Sequence, residues 1–286
     1  MKECKAELVL DAHADLGEGS IWHNNVLYWV DIEIGNIHIF DPDTGTDRVI
    51  ELGQAVGTVV PRAGGGIAVA VEGGFGVVDL KSEELTILAD PEPDLPENRF
   101  NDGKCDPRGR FWAGTATVTC DQPVGTLYRM DADHSVHPML EKVTISNGIV
   151  WTSDRKTMYF IDTALERVDA FDYDDASGNI TNRRTIIEIN KPDHGWPDGM
   201  AIDENDNIWI AMWEGNGVAH WDPRTGELLG KIHIDSAQTT SCAFGGPNLD
   251  ELYITSAAKG LDEPHGGGLF RAKLETKGVP ATPFAG

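Results

Sequence analysis

Positive charge is scarce in this sequence: 23 lysines and arginines face 47 aspartates and glutamates, a formal net charge of −24 over 286 residues. A phosphate backbone or an anionic membrane surface would be repelled, so neither nucleic acid nor membrane is an expected partner. The acids are dispersed rather than run together, which reads as a well-solvated surface and would also suit a high-salt cytoplasm. Cysteine is scarce too. The four (Cys4, Cys105, Cys120, Cys242) lie far apart with no CxxC pair, which argues against a disulfide framework and against a zinc–thiolate site. No apolar run reaches the length of about 18 residues that a membrane helix needs. The start, MKECKAELVLDAHADLGEG, lacks the apolar core of a signal peptide, so the expected location is cytoplasmic. Several catalytic signatures are missing as well. GTATVTC holds no G-x-S-x-G elbow, and the nine histidines form no HExxH. The glycine-rich RAGGGIAVAVEGGFG has no P-loop lysine and reads as a pair of tight hairpins. His23, His194 and His265 fall in turns, where an exposed histidine is the ordinary reading.

What the sequence does have is repetition. FDPDTG (40–45) returns as WDPRTG (221–226) and, more loosely, as FDYDDASGN (171–179) and YRMDADHS (128–135). Upstream of each lies a hairpin pattern: IWHNNVLYWVD, CDPRGRFWAG, VWTSDRKTMYFID, AIDENDNIWIA and AFGGPNLDELYIT, with a weaker member across 59–80. These make six units of roughly 40–50 residues with about four short strands each, the period of propeller blades. The expectation is an all-β, six-bladed β-propeller forming one domain over residues 1–286, without linkers. AELVLDAHA (6–14) precedes the first unit and has no blade of its own. It is expected to pair with the last blade, whose final strand is GGLFRAKL (267–274), and so remove two exposed sheet edges. ADPEPDLPENRF (89–100) is read as a rim loop. Trp196 and Trp213 fall near the channel mouth, as packing between blades or as a wall for a sugar ring.

Aligning the units picks out one position. Asp198 stands five residues before Asp203 and eleven before Trp209; Asn101 stands five before Asp106 and eleven before Trp112. With a one-residue change in turn length, Asn147 of SNGIVW and Glu18 of GEGSIW fall at the same place, and Gly57 and Thr240 complete the set. The first strand of each propeller blade lines the central channel, so Glu18, Asn101, Asn147 and Asp198 should meet on its axis. Any one of them could simply cap a turn. Two carboxylates and two amides together instead form a hard-oxygen donor set. Unneutralised, the acids would repel and their pKa values rise. A divalent cation would satisfy them: Ca²⁺ above all, with Mg²⁺, Mn²⁺, Fe²⁺ or Zn²⁺ as alternatives.

The motifs LGEGSIWH, NRFNDGKCDPRGRFWAGT, SNGIVW, AFDYDDASGNITNRR, PDGMAID and TTSCAFGG resemble those of the senescence marker protein-30/gluconolactonase family (the regucalcin family) over nearly the whole chain. The resemblance implies a six-bladed propeller with one divalent metal in its channel and a sugar lactonase activity. It further implies Glu18, Asn147 and Asp198 as metal ligands, Asn101 beside the metal, Arg99 on the substrate's hydroxyls, and Asp198 as candidate general base. One departure stands out. The regucalcin branch carries a glutamate after the GT of the third blade's second strand, whereas GTATVTCDQPVGTLYRM has no acid before Asp121 and Thr119 near that place. Substrate preference is therefore expected to differ.

Lactone hydrolysis suits these groups, because a cation can stabilise the oxyanion and a carboxylate can accept the water's proton. The expected partner is a small sugar lactone, and the expected assembly a monomer or weak homodimer. A calcium-binding regulator with little catalysis, or a phosphotriesterase-type hydrolase, are the competing readings. Arg99 and the polar NRFND lip favour the sugar lactone.

Overall fold

The computed structural model describes residues 2–286, and it is a six-bladed β-propeller. Blade one runs outward through Gly17–His23, Val26–Asp31, Asn36–Asp41 and Thr46–Glu51. Blades two to five begin at the axis with Val56–Pro61, Asn98–Cys105, Ser146–Trp151 and Trp196–Ile202. Blade six holds Thr239–Gly245, Glu251–Ser256 and Leu269–Lys273, and Glu7–Leu10 completes it from the other end of the chain. Closure by the N-terminal strand is as expected from the sequence. A further segment was not foreseen: Lys2–Lys5 adds a fifth, parallel strand outside Glu227–His233 of blade five. The rim loop is shorter than the sequence suggests, because strands end at Ala89 and resume at Asn98.

The inner strands are buried on both faces, since each blade packs against two neighbours. Ile67–Val71 is apolar and buried throughout. Polar residues fix the corners. The Asp31 carboxylate accepts from the backbone N–H groups of Asp15 and Leu16, and Asp162, its counterpart in blade four, accepts from Thr144 and Ile145. Asp106 and Asp203 each accept the indole N–H of the tryptophan six residues on, Trp112 and Trp209, both at 3.1 Å.

One irregularity recurs six times. In every innermost strand the pairing with its neighbour slips by one residue: between Glu18 and Ile21, Val56 and Thr58, Phe100 and Gly103, Ser146 and Ile149, Pro197 and Met200, and Thr239 and Cys242. Such a bulge bends the strand and re-aims a side chain. Each one falls on or beside the aligned position.

At the opposite end of the channel a smaller cavity of about 220 Å³ is bounded by Ser20, Lys104, Cys242 and the tail segment 279–282. The tail bridges blade five at Asp203↔Gly278 and blade two at Arg62↔Phe284, and the Phe284 ring is fully buried near Phe111.

Candidate active site

Six positions are equivalent by repeat, but only four present oxygen donors to the axis. At Gly57 a Cβ would lie 2.4 Å from the Phe100 carbonyl oxygen, so blade three approaches too closely for any side chain. Thr240 is fully buried with its hydroxyl on the Gly17 carbonyl and the Thr255 hydroxyl, an inter-blade contact rather than a donor to the channel. Glu18, Asn101, Asn147 and Asp198 are all buried and all line one cavity of about 530 Å³, together with Arg99, Thr119, Cys120, Thr163, Trp196, Trp213 and Lys259.

The two amides differ in what they have left to offer. The Asn101 Nδ2 donates to the Ser146 carbonyl at 2.8 Å and to Asn147 Oδ1 at 3.3 Å, while its own Oδ1 accepts from Arg99 Nη1 at 2.9 Å. Its hydrogen-bonding capacity is largely taken up inside the protein. Asn147 donates through Nδ2 to the Thr163 hydroxyl at 2.8 Å, which in turn donates to the Pro197 carbonyl at 2.8 Å. That chain, tying blade four to blade five, leaves Asn147 Oδ1 turned away from Thr163 with only the long Asn101 contact.

The carboxyls are poorly compensated. Glu18 accepts one backbone N–H, that of Gly19 at 2.7 Å, and lies within hydrogen-bonding contact of Asp198. Asp198 Oδ1 is buried with no hydrogen-bond partner. Burial pushes the Glu18 carboxyl up to about 8, with Asp102 adding repulsion; burial and then the Glu18 charge push Asp198 well above the carboxylate range. Left to itself the Glu18 carboxyl would hold its proton near neutrality.

Asp102 belongs to this cluster, and the repeat alignment does not single it out. It is buried, accepts the Gly103 N–H at 2.7 Å through Oδ1, and has an unpartnered Oδ2; burial raises its pKa, opposed by Lys104. The Lys104 ammonium donates to the Met200 carbonyl at 2.7 Å. The available signal was comparative, because the residue after the aligned position is Gly19, Thr58, Gly148, Gly199 or Ser241 in the other blades. The glycines have a reason: a Cβ at Gly148 or Gly199 would come within 2.8 Å of the next strand's Asp198 or Thr240 carbonyl oxygen.

A cation fits this donor set. Glu18, Asn147 and Asp198 converge with two acids and a spare amide oxygen, and the unpartnered Asp198 Oδ1 lacks a positive neighbour. No cluster of three His, Cys, Asp or Glu side chains suited to a metal occurs among the described residues; the set here is completed by an amide.

Arg99 is 5% exposed, with Nη1 on Asn101 and Nη2 3.5 Å from Glu33 Oε1, which itself lies 2.9 Å from Lys259 Nζ. Neither Glu33 nor Lys259 was singled out by the repeats, because both come from loops outside them. The Thr119 hydroxyl donates to Asp121 Oδ1 at 2.6 Å. Trp196 and Trp213 pair across the first two strands of blade five and both border the cavity, with the Lys191 ammonium 4.0 Å from the Trp196 ring centre.

The family model and the curated relatives agree on one family. The model of the SMP-30/gluconolactonase/LRE-like region matches residues 16–258. The chain is 38% identical over 289 residues to a putative sugar lactone lactonase, YvrE, of Bacillus subtilis (strain 168), covering 98% of this chain and 99% of that protein. It is 37% identical over 300 residues to regucalcin of Xenopus laevis, covering 100% of both. Among solved structures, a calcium-binding protein, regucalcin, from Agrobacterium tumefaciens str. C58 superposes with a TM-score of 0.93 at 26% identity, covering 99% of this chain and 98% of that one.

Proposed function

Because the chain belongs to the SMP-30/gluconolactonase/LRE-like family, we propose that it is a metal-dependent hydrolase that opens a sugar lactone to the corresponding sugar acid. The observation that carries the reading is the buried, unpartnered Asp198 Oδ1 beside Glu18 at the floor of a sugar-sized cavity. Glu18, Asn147 and Asp198 would hold the ion. Oxygen-only donors favour Ca²⁺, in keeping with the solved relative described as a calcium-binding protein. Such an ion supplies Lewis acidity toward the lactone carbonyl oxygen, where negative charge develops.

The remaining work falls to the chain's own residues. Asp198, kept ionised by the cation it would help hold, accepts a proton from the attacking water. The water oxygen bonds to the carbonyl carbon as the C=O bond opens to an oxyanion; the C=O bond then re-forms, the ring C–O bond breaks, and Asp198 passes the proton it accepted to the leaving alkoxide. Arg99, held by Asn101 Oδ1 at 2.9 Å, orients the polar groups of the substrate. Trp196 and Trp213 offer an apolar wall for the sugar ring.

The test is a pH-indicator assay on a small lactone panel, corrected for spontaneous hydrolysis. Dialysis against EDTA should abolish acid release and a divalent ion should restore it, with bound metal measured in parallel. Full activity in protein shown to be metal-free would overturn the metal dependence. Tight metal binding with no lactone cleaved would favour the calcium-binding regulator.

A further inference from the structure

One wall of the cavity carries more positive charge than the proposed reaction needs. Arg99 and Lys259 both line it, bracketing a single acid, Glu33. Two cations against one carboxylate leave this wall net positive in a chain of net charge −24. The other acids of the cavity, Glu18 and Asp198, are the pair that would hold the divalent ion, and the loop beside this wall adds no further acid to the lining. Thr119 and Cys120 are neutral, and the nearest acid of their loop, Asp121, is 2.6 Å from the Thr119 hydroxyl it accepts from.

The cations are also incompletely used. Arg99 Nε is buried with no hydrogen-bond partner, and Nη2 stands 3.5 Å from Glu33, beyond the roughly 2.7–2.9 Å of a charge-assisted hydrogen bond. An arginine that is 5% exposed and still has donor capacity toward a cavity is arranged for an incoming acceptor. Lys259 is more exposed, with 47% of its side chain open to solvent, and its backbone is held where the Gln238 side chain donates to its carbonyl at 3.1 Å. A planar fork and a flexible point charge on the same wall match a carboxylate.

Taking the lactonase reading as its basis, we infer that the preferred substrate is a lactone bearing a second, ionised carboxylate, such as the monolactone of a sugar diacid. Arg99 and Lys259 bind that carboxylate at a distance from the ring carbonyl, and Glu33 holds the two cations in place until the substrate arrives. The cationic wall also draws an anionic substrate toward a mouth that the rest of the surface would repel.

The experiment compares kcat/KM for D-gluconolactone and D-glucaric acid monolactone, each with divalent ion supplied, in wild type, Lys259→Met and Lys259→Arg. Wild type should favour the acidic lactone by about tenfold or more, the effect of one charge-assisted contact. Lys259→Met should lower that preference ratio by about tenfold, mainly through KM, and Lys259→Arg should keep it. Equal use of both lactones by wild type, or an unchanged ratio in Lys259→Met, would overturn the inference while leaving lactone hydrolysis intact. Preference for a phosphorylated lactone over the carboxylated one would overturn the assignment of the anion. Failure to cleave any lactone would instead overturn the hydrolase reading, and this inference with it.

Discussion

Asp198 has two roles to separate, as ligand and as base. Replacing it with asparagine keeps its size and one oxygen but removes the proton acceptor. Glu18→Gln removes one charge from the same site without touching the proposed base. Both variants should bind the divalent ion more weakly in a metal titration. At saturating ion, Glu18→Gln should regain much of its turnover, while Asp198→Asn should stay about 10²-fold or more down in kcat. Equal recovery in the two would show that Asp198 acts as a ligand only. The amides invite a different comparison. Asn147 keeps an available oxygen because Thr163 takes its Nδ2, whereas Asn101 is bonded at both ends. Asn101 therefore reads as the residue that positions Arg99, with Asn147 as the one that faces the ion. By repeat position alone these two asparagines are indistinguishable, and only the family resemblance set them apart in the sequence. What separates them is the partner across the blade boundary.

At the scale of the element, the informative unit is the Asp–turn–Trp hairpin. Asp106 and Asp203 occupy equivalent turns and accept equivalent indoles, yet their other partners differ. Asp106 accepts from the Arg110 guanidinium and from Tyr173 at 2.8 Å, with Arg110 itself nearly buried. Asp203 is served by Trp209, by the backbone of Asn205 and Asn207, and at 3.4 Å by His220. Both substitutions weaken equivalent backbone and indole hydrogen bonds, but Asp106→Asn should also break a buried ion pair with Arg110, costing about 3–5 kcal/mol beyond what Asp203→Asn costs. Denaturant titration of the two variants should show the larger drop in midpoint for Asp106→Asn; equal drops would mean that Arg110 contributes little. The same hairpins explain what was legible beforehand. The offsets from Asn101 to Asp106 to Trp112, repeated from Asp198 to Asp203 to Trp209, put two candidate site residues in register from the sequence alone, and a one-residue change in turn length added Glu18 and Asn147. The bulges that aim those residues were invisible, because a slipped pairing is a relation between two strands and leaves no residue-type signature here. Asp102, Glu33 and Lys259 escaped for a related reason. Each has no counterpart in the other blades, so nothing in the recurrence marks it.

For the whole molecule, the large excess of acid is a property of the surface rather than of the site. Self-repulsion among 47 acidic side chains should be relieved by salt, since the screening length shrinks from about 10 Å at 0.1 M to about 3 Å at 1 M. The melting temperature should therefore rise as sodium chloride is raised over that range. A flat or falling profile would mean that the attractive pairs, such as Arg271 with Glu7 and Lys273 with Asp250, outweigh the repulsion. The tail offers a second measurement at this scale. Phe284 is fully buried between blades two and three, so Phe284→Ala should cost about 3–5 kcal/mol of stability. Because it sits at the far end of the channel from Asp198, metal affinity at a temperature where the variant is folded should change little.

The ring closes through residues from both ends of the chain: Arg271 of blade six meets Glu7 across 264 positions of sequence. The four main strands of every other blade are a meander of local hairpins that can form as soon as their own residues exist, with Lys2–Lys5 added outside blade five. Blade six cannot finish until nearly the whole chain has been made, and until then the strand Glu7–Leu10 has no partner while the ring stands open at two edges. Slow, late pairing of distant segments is the step at which unpaired strand edges meet other chains. During synthesis, then, the vulnerable moment of this protein comes at the end, when five sixths of the structure is already in place and one short strand decides between closure and aggregation.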